Sequence, residues 1–198
     1  FGTLTLSDGY KSTLVQSVRA LKSQAISQGV TLGILLNENS LGTERVVTSP
    51  RFFTITESRV PEILSNAIGE TFAFGIYSGT DGNVPYFIFE SSSYENAWGG
   101  MLEWEKNLID DIGPLFFERS ELLTSGATTS SSTDIATANT LKFTDVVYFN
   151  KDARVLLRPD GKPVFMWSII NRKMIVLTAT PEALEDLSRR ITAASIVR

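Results

Sequence analysis

The stretch "TFAFGIYSGTDGNVPYFIFE", Thr71 to Glu90, carries the clearest fold signal in the chain. Two runs rich in aromatic and β-branched residues flank Asp81-Gly82, and an Asp-Gly pair between such runs is the strongest short-range hairpin signal. The sequence therefore predicts two antiparallel strands that are joined at Asp81-Gly82.

Further strands are predicted on both sides of this hairpin. Upstream, the apolar run "VTLGILLN" has the length and composition of a strand, and "ENSLGTER" after it is predicted to be an exposed turn. Downstream, "FTDVVYFN", "ARVLLRPDGKPVFMWSII" and "KMIVLTAT" predict three or four strands, with a second hairpin that turns at Pro159 to Lys162. We expect a mostly antiparallel sheet.

Helices are predicted where apolar residues recur at intervals of three and four. The last helix has the clearest start, because Thr180 is a good N-cap and Pro181 suits the first helical position. Hairpins combined with helices, without regular alternation, predict an α+β fold whose sheet is packed by amphipathic helices. The predicted helices are Lys11 to Ser27, a short one after Pro50, Pro61 to Ile68, Tyr94 to Gly113, and one that begins at Pro181.

The domain organisation is indicated by a change of composition. Ser, Thr, Gly and Ala dominate residues 122–140, where periodicity disappears, so this segment is predicted to be a loop or linker. Each side of it carries a Gly-centred hairpin and a helix. We therefore predict two subdomains, residues 1–121 and 141–198, and their shared plan can be interpreted as a pseudo-repeat.

Composition argues against several classes of function. The 198 residues include no cysteine and no histidine, which removes thiol nucleophiles, imidazole bases and the usual ligands of zinc, copper and haem. We therefore expect no metal and no cofactor. The net charge of −4, without a cluster of Lys or Arg, argues against a nucleic-acid partner. Common nucleophile and phosphate-binding motifs are absent from the sequence, so no residue is assigned a catalytic role.

One acidic residue does not fit the amphipathic pattern of the Tyr94 helix. At about 100° per residue, Trp98 and Trp104 fall on a broad apolar arc, and Glu105 projects into the same arc. A carboxylate there must be paired, hydrogen-bonded or protonated, because burying it alone costs many kcal/mol. Its candidate partners are Arg154, Arg158 and Arg59. The predicted binding or structural polar site comprises Glu105, Trp98, Trp104 and Arg154.

Other features of this helix have structural interpretations. Ser92 and Glu95 form a capping-box pattern, and Asp111 is predicted to lie at the exposed edge of the apolar arc. Gly99 and Gly100 each cost about 1 kcal/mol relative to Ala. We therefore expect the backbone of another element to approach closely at these glycines.

Several of these segments together resemble a family of single-pass membrane-anchored proteins from candidate-phylum bacteria of the Patescibacteria type. The resemblance rests on "YENAWGGMLEWEKNLIDDIGPLF", on the Asp-Gly hairpins and on "NKDAR", and it covers most of Gln28 to Arg190. It implies a cytoplasmic part and one transmembrane helix ahead of an exported domain. The chain would then be extracytoplasmic and tethered to the cell membrane through an upstream segment.

Three functions are consistent with the sequence. The first, which we favour, is a non-catalytic exported interaction or assembly domain of a membrane-anchored cell-envelope protein, with a protein or another envelope component as its partner. The second is a ligand-sensing domain coupled to the upstream helix, which requires a closed pocket of roughly a few hundred Å³. The third is a glycan hydrolase that uses Glu105 with Asp111 or Asp152, which requires two carboxyl groups about 5–10 Å apart in an open cleft.

Overall fold

The computed structural model describes residues 1–40, 42–118, 120 and 142–196. Within these residues the chain has an α+β fold with six helices and one nine-stranded, mostly antiparallel sheet, which confirms the predicted fold class. In chain order the elements are β1 (Gly2–Leu6), α1 (Lys11–Lys22), β2 (Thr31–Ser40), β3 (Thr43–Val46), α2 (Ser49–Ile55), α3 (Glu62–Ala67), β4 (Ile68–Gly79), β5 (Gly82–Ser91), α4 (Tyr94–Asp111), α5 (Gly113–Phe116), β6 (Phe143–Tyr148), β7 (Lys151–Leu157), β8 (Pro163–Ile170), β9 (Met174–Thr178) and α6 (Pro181–Ile196).

The order of the strands across the sheet is β1-β2-β4-β5-β9-β8-β7-β6, with β3 attached to β2. β1 and β2 are parallel, and the other pairs are antiparallel. In the middle of the sheet β5 pairs with β9, where Phe87 lies opposite Leu177. Strands from both predicted subdomains therefore share one sheet. The division into subdomains stays a prediction, and the predicted linker, residues 122–140, lies outside the described residues.

Helices pack on both faces of the sheet. α1 to α5 cover one face, where the fully buried rings of Phe52 and Phe87 lie 5.0 Å apart. α6 packs on the opposite face through Ala183 and Leu184. Adjacent residues of β5 serve different faces, because Phe87 lies in the first core and Tyr86 in the second. Burying a side chain such as Phe52 stabilises the fold by about 1.5–3 kcal/mol.

Both predicted hairpins are confirmed. The first turns between Gly79 and Gly82, and the second spans residues 158–162. The strands predicted after the Ser/Thr-rich segment are four, β6 to β9. The last helix also begins as predicted, because the Thr180 hydroxyl accepts a hydrogen bond from the Ala183 N–H at 3.3 Å.

Two local predictions are corrected by the structure, and one strand was not predicted. "ENSLGTER" is not an exposed turn, because β2 continues to Ser40 and β3 pairs with it from Thr43 to Val46. The helix α1 ends at Lys22 rather than Ser27. β1 was not predicted, because its short sequence forms a strand only through its pairing with the distant β2.

The capping-box prediction for α4 is wrong by one residue. Ser93 is the N-cap, and its hydroxyl accepts a hydrogen bond from the Asn96 N–H at 3.3 Å. The Ser92 hydroxyl instead donates to the carbonyl of Ala67, at the end of α3. The helix still begins at Tyr94, as predicted.

The two glycines inside α4 have different surroundings. A Cβ on Gly100 would lie 2.5 Å from the Cβ and 2.9 Å from the Cα of Leu64, so α3 approaches α4 too closely there for a side chain. A Cβ on Gly99 would meet nothing within 4 Å. The expected close approach of another backbone is therefore confirmed for Gly100 and wrong for Gly99.

We expect Gly100→Ala to lower the free energy of unfolding by about 1–3 kcal/mol, because overpacking against Leu64 outweighs the gain in helix propensity. Gly99→Ala is the matched control at the neighbouring position and should raise the free energy of unfolding by up to about 1 kcal/mol. Urea denaturation of both variants beside the wild type measures these effects. Equal changes in the two variants would contradict the α3–α4 contact.

α6 is anchored to the sheet by a buried carboxylate. The side chain of Asp186 is 8% exposed and accepts hydrogen bonds at 2.6 Å from Thr31 of β2 and from Arg189 and Arg190. Burial raises the pKa of Asp186, but these three donors outweigh burial and hold the pKa below its usual value. The ionised form is therefore the one that the fold stabilises.

Acid should remove stability through Asp186. Because its pKa is lower in the folded than in the unfolded state, its contribution is present above the unfolded pKa of about 3.9 and is lost as the pH falls through the folded pKa. Asp186→Asn should therefore flatten the decrease in the free energy of unfolding on acidification below about pH 5. Denaturation at a series of pH values measures this decrease. An identical pH dependence in the variant would contradict the role of Asp186.

Candidate functional site

Glu105 is held by an arginine and a tryptophan. Nε of Arg154 donates to Oε1 of Glu105 at 2.8 Å and Nη2 donates to Oε2 at 2.7 Å, which makes a bidentate ion pair. Nε1 of Trp167 also donates to Oε1, at 3.0 Å. The pairing of Glu105 with Arg154, one of three candidate partners, is confirmed. The other two candidate arginines bind elsewhere, Arg158 to Asp160 and Arg59 to Asp111.

The register of the sheet brings these groups together. Arg154 of β7 lies opposite Trp167 of β8 on one side and Asp145 of β6 on the other. The three side chains therefore lie on one face of three neighbouring strands. Nη1 of Arg154 lies 3.0 Å from Oδ1 of Asp145, so one guanidinium bridges Asp145 and Glu105.

The ion pair is largely shielded from solvent. The side chains of Glu105 and Arg154 are 13% and 16% exposed, whereas that of Asp145 is 81% exposed. Hydrogen bonding to Glu105 is the main effect that raises the pKa of Arg154, and Asp145 contributes to the same increase. Both Glu105 oxygens accept hydrogen bonds, as an ionised carboxylate does. This geometry favours a structural ion pair over proton transfer.

The two tryptophans of α4 lie in different surroundings. Trp104 is fully buried, and its Nε1 donates to Oδ2 of Asp111 at 2.8 Å. Trp98 is half-buried and packs edge-to-face on Trp167, with the ring centroids 5.1 Å apart. The structure therefore places Trp104 in a separate contact and brings Trp98 next to the group of Glu105, Arg154, Trp167 and Asp145. We call this group the Glu105 cluster.

The predicted exposure of Asp111 is wrong. Its side chain is 2% exposed and accepts hydrogen bonds from the backbone N–H of Arg59 at 2.7 Å and from Nε of Arg59 at 2.9 Å, besides Trp104. Asp111 thus fixes the segment between α2 and α3 to the end of α4. A signal was available, because Asp111 follows Trp104 by seven residues on the same helix and a buried indole N–H needs an acceptor.

The arrangement gives no support to the glycan-hydrolase hypothesis. The Asp111 carboxylate is bound to Arg59 and Trp104, and Asp152 is exposed on β7. The carboxylate that shares a cation with Glu105 is Asp145, which the sequence did not indicate. A hydrolase needs its two carboxyl groups on either side of an open cleft, not bridged by a guanidinium. Among the described residues, no group of three or more acidic side chains is placed to hold a metal ion.

β6 lies at one end of the sheet. It pairs with β7 on one side, and no strand in the described part of the chain pairs with its other side. Phe149 and Asn150 form the turn to β7 at φ of 51° and 60°, which is the geometry of a type I′ turn. The side chains of Val147 and Phe149 are exposed.

Phe149 is an unfavourable residue for this turn. The left-handed conformation costs an L-residue about 1–2 kcal/mol, and Asn, Asp and Gly are preferred at such positions. The residue is 54% exposed, so burial in the core does not offset this cost. The turn therefore keeps a strained and exposed aromatic residue beside the open edge of the sheet. The sequence did not indicate it, because the sign of φ cannot be read from a Phe.

Several open grooves lie on the surface of the described residues, and two of the larger ones are not the closed pocket that a ligand sensor requires. One, of about 680 Å³, is lined by charged residues that are already paired, Arg172 with Glu95 and Lys173 with Glu90. The other, of about 420 Å³, lies between the β6–β7 turn and α6 and has mostly apolar walls. We call it the α6 groove. Its lining includes Tyr148, Phe149, Lys151, Leu184, Ser188 and Thr192.

Comparison with protein-family models, with curated proteins and with solved structures found no match to this chain. The resemblance to membrane-anchored proteins of candidate-phylum bacteria stays a prediction. Across the residues that the structure describes, no helix combines the length and hydrophobicity needed to cross a membrane. The function is therefore inferred from the geometry of the chain.

We expect Arg154→Met to lower the free energy of unfolding by about 2–4 kcal/mol, because it leaves the Glu105 carboxylate with one remaining donor, Trp167. The double variant with Glu105→Gln should lose at least about 1 kcal/mol less than the sum of the single losses. Chemical denaturation of the four proteins measures this coupling.

Glu95→Gln is the control for this comparison of single and double variants, because it removes an exposed ion pair between the same helix and Arg172. It should change the free energy of unfolding by less than about 1 kcal/mol. Strictly additive losses for Glu105 and Arg154 would show that the two side chains are not energetically coupled.

Proposed function

We propose that this chain is a non-catalytic interaction domain that binds an extended segment of a partner protein along the open edge of β6. The observation that carries the proposal is the edge itself. It has no paired strand on one side in the described part of the chain, and it ends in exposed apolar side chains. Such an edge is a template for another strand.

Along β6, the backbone N–H and C=O groups of successive residues point alternately towards β7 and towards the open edge. In a two-residue hairpin the pair that flanks the turn, here Tyr148 and Lys151, exchanges both backbone hydrogen bonds, and the pattern repeats at every second residue. Asp145 and Val147 therefore direct their N–H and C=O groups to the open edge. An extended polypeptide is the ligand that satisfies such a row of donors and acceptors.

Within the described residues, the edge lacks the common protection against strand addition. Natural edge strands are shielded by lysines, prolines, bulges or a covering element. The charged residue of β6 is Asp145, and its carboxylate is bound to Arg154. Val147 presents an apolar side chain that is 65% exposed. This composition favours docking over protection.

The Glu105 cluster supports the edge from behind. Arg154 connects Asp145 of β6 to Glu105 of α4, and Trp167 of β8 binds the same carboxylate. Three neighbouring strands are thereby fixed to one helix. A rigid edge loses less conformational entropy when it binds a segment, which favours affinity.

We further propose that the domain is exported and belongs to a membrane-anchored cell-envelope protein. The support is the resemblance described above and the absence of cysteine from the sequence, which lets the domain fold outside the cell without disulfide chemistry. Its partner is then a protein of the envelope, and its task is assembly rather than catalysis.

Replacing Val147 by proline tests the docking edge, because proline removes the outward N–H without breaking the hydrogen bonds to β7. Peptides would be selected on the immobilised chain from a phage-displayed library of random sequences, and their Kd measured by fluorescence polarisation. We expect Val147→Pro to weaken binding at least about tenfold, the effect of a lost hydrogen bond and a steric clash.

Val147→Thr is the matched control, because it keeps the N–H and the β-branched shape and should bind within about twofold of the wild type. Thermal unfolding establishes that Val147→Pro is folded, and Val147→Lys provides a second variant that blocks the edge by charge. Peptides that bind all three variants as tightly as the wild type would refute the docking edge.

A further inference from the structure

We infer that the α6 groove is the specificity pocket of the docking edge, and that it receives a large apolar side chain of the bound segment that has an acidic neighbour. This inference rests on the proposed function. The groove begins at Tyr148 and Phe149, where β6 ends, so it continues the edge along which the segment lies. Every second side chain of an added strand points to the face on which α6 packs.

Phe149 forms the wall of the groove on the side of the turn. Its backbone is strained and its ring is half exposed in the free protein. A bound apolar side chain covers this ring and provides the burial that the free protein lacks. Strained residues that persist in a fold cluster at ligand-binding sites, where the strain holds a group in position.

α6 forms the opposite wall with one face of its helix. Leu184, Ser188 and Thr192 follow each other at intervals of four residues, which places them in a row. Ser188 is 6% exposed, and its hydroxyl has no hydrogen-bond partner among the residues that the structure describes. Such hydroxyls are uncommon in folded proteins, but the Ser188 oxygen is itself buried, so this wall offers a bound side chain mainly packing contacts. The surface of the groove as a whole is mostly apolar with a few polar groups, which is the composition of a binding pocket.

The charges around the groove favour an acidic residue at one end. Lys151 follows the turn and makes no ion pair within the described part of the chain. Arg189 is already bound to Asp186 at 2.6 Å, and Glu185 on the α6 wall repels an acid there. An acidic residue next to the apolar anchor of the segment therefore fits beside Lys151.

The deciding experiment uses the full chain and the peptides selected for the β6 edge. These peptides should share a large apolar residue with Asp or Glu close to it. Phe149→Asn should raise the melting temperature, because Asn is preferred at this backbone conformation, and should weaken binding at least about tenfold. A purely structural role of Phe149 does not produce a more stable protein that binds less well.

Ala193→Trp is the second variant, because it fills the groove from the exposed side of α6 and leaves the residues of β6 unchanged. It should weaken the selected peptide about tenfold and leave unchanged the binding of the same peptide with its anchor replaced by Ala. Lys151→Met should remove the preference for the acidic neighbour.

The outcomes separate this inference from the proposed function. Binding that is lost in Val147→Pro but unchanged in Phe149→Asn and Ala193→Trp would overturn the groove assignment and leave the docking edge standing. Peptide binding that is unchanged in Val147→Pro would overturn the proposed function. Two other results would each overturn the assignment of a partner segment. One is that decanoate binds in the groove and no peptide does; the other is that the chain forms a dimer that Ala193→Trp dissociates.

Discussion

The pairing of β5 with β9 is the constraint on which the rest of the molecule depends. It joins the hairpin of β4 and β5 to the four last strands, with Phe87 opposite Leu177 on one face of the sheet and Ile88 opposite Val176 on the other. α4 follows directly after β5, and β8 and β7 follow β9 across the sheet. The central pairing therefore fixes the distance over which Glu105 reaches Arg154.

Three buried or largely buried carboxylates connect the layers of the fold. Glu105 joins α4 to the sheet, Asp111 joins α4 to the segment between α2 and α3, and Asp186 joins α6 to β2. Each carboxylate has more than one donor, so the desolvation of its charge is compensated by several hydrogen bonds. These three side chains therefore have a structural role in joining the helices to the rest of the fold.

The parts of the fold that could be predicted from the sequence are those with local causes. The Asp81-Gly82 hairpin and the Thr180 helix start depend on a few neighbouring residues, and both are confirmed. β1 and β3 depend on pairing with β2, which short sequences do not encode. Helical phase identified Glu105 as a residue in need of a partner, but three arginines fitted, because the choice depends on the register of β7 against β8. The burial of Asp111 was missed because helical phase puts it at the edge of the apolar arc, although its spacing of seven residues from Trp104 indicated an acceptor for the indole.

The single guanidinium of Arg154 has a mechanical consequence. Because it holds Asp145 of the edge strand and Glu105 of α4 at the same time, a force on β6 passes to the helix through two charge-assisted contacts as well as through the β6–β7 ladder. A force that pulls on the edge is therefore transmitted to the layer of helices behind the sheet. The outermost strand then resists detachment more strongly than it would through its backbone hydrogen bonds alone.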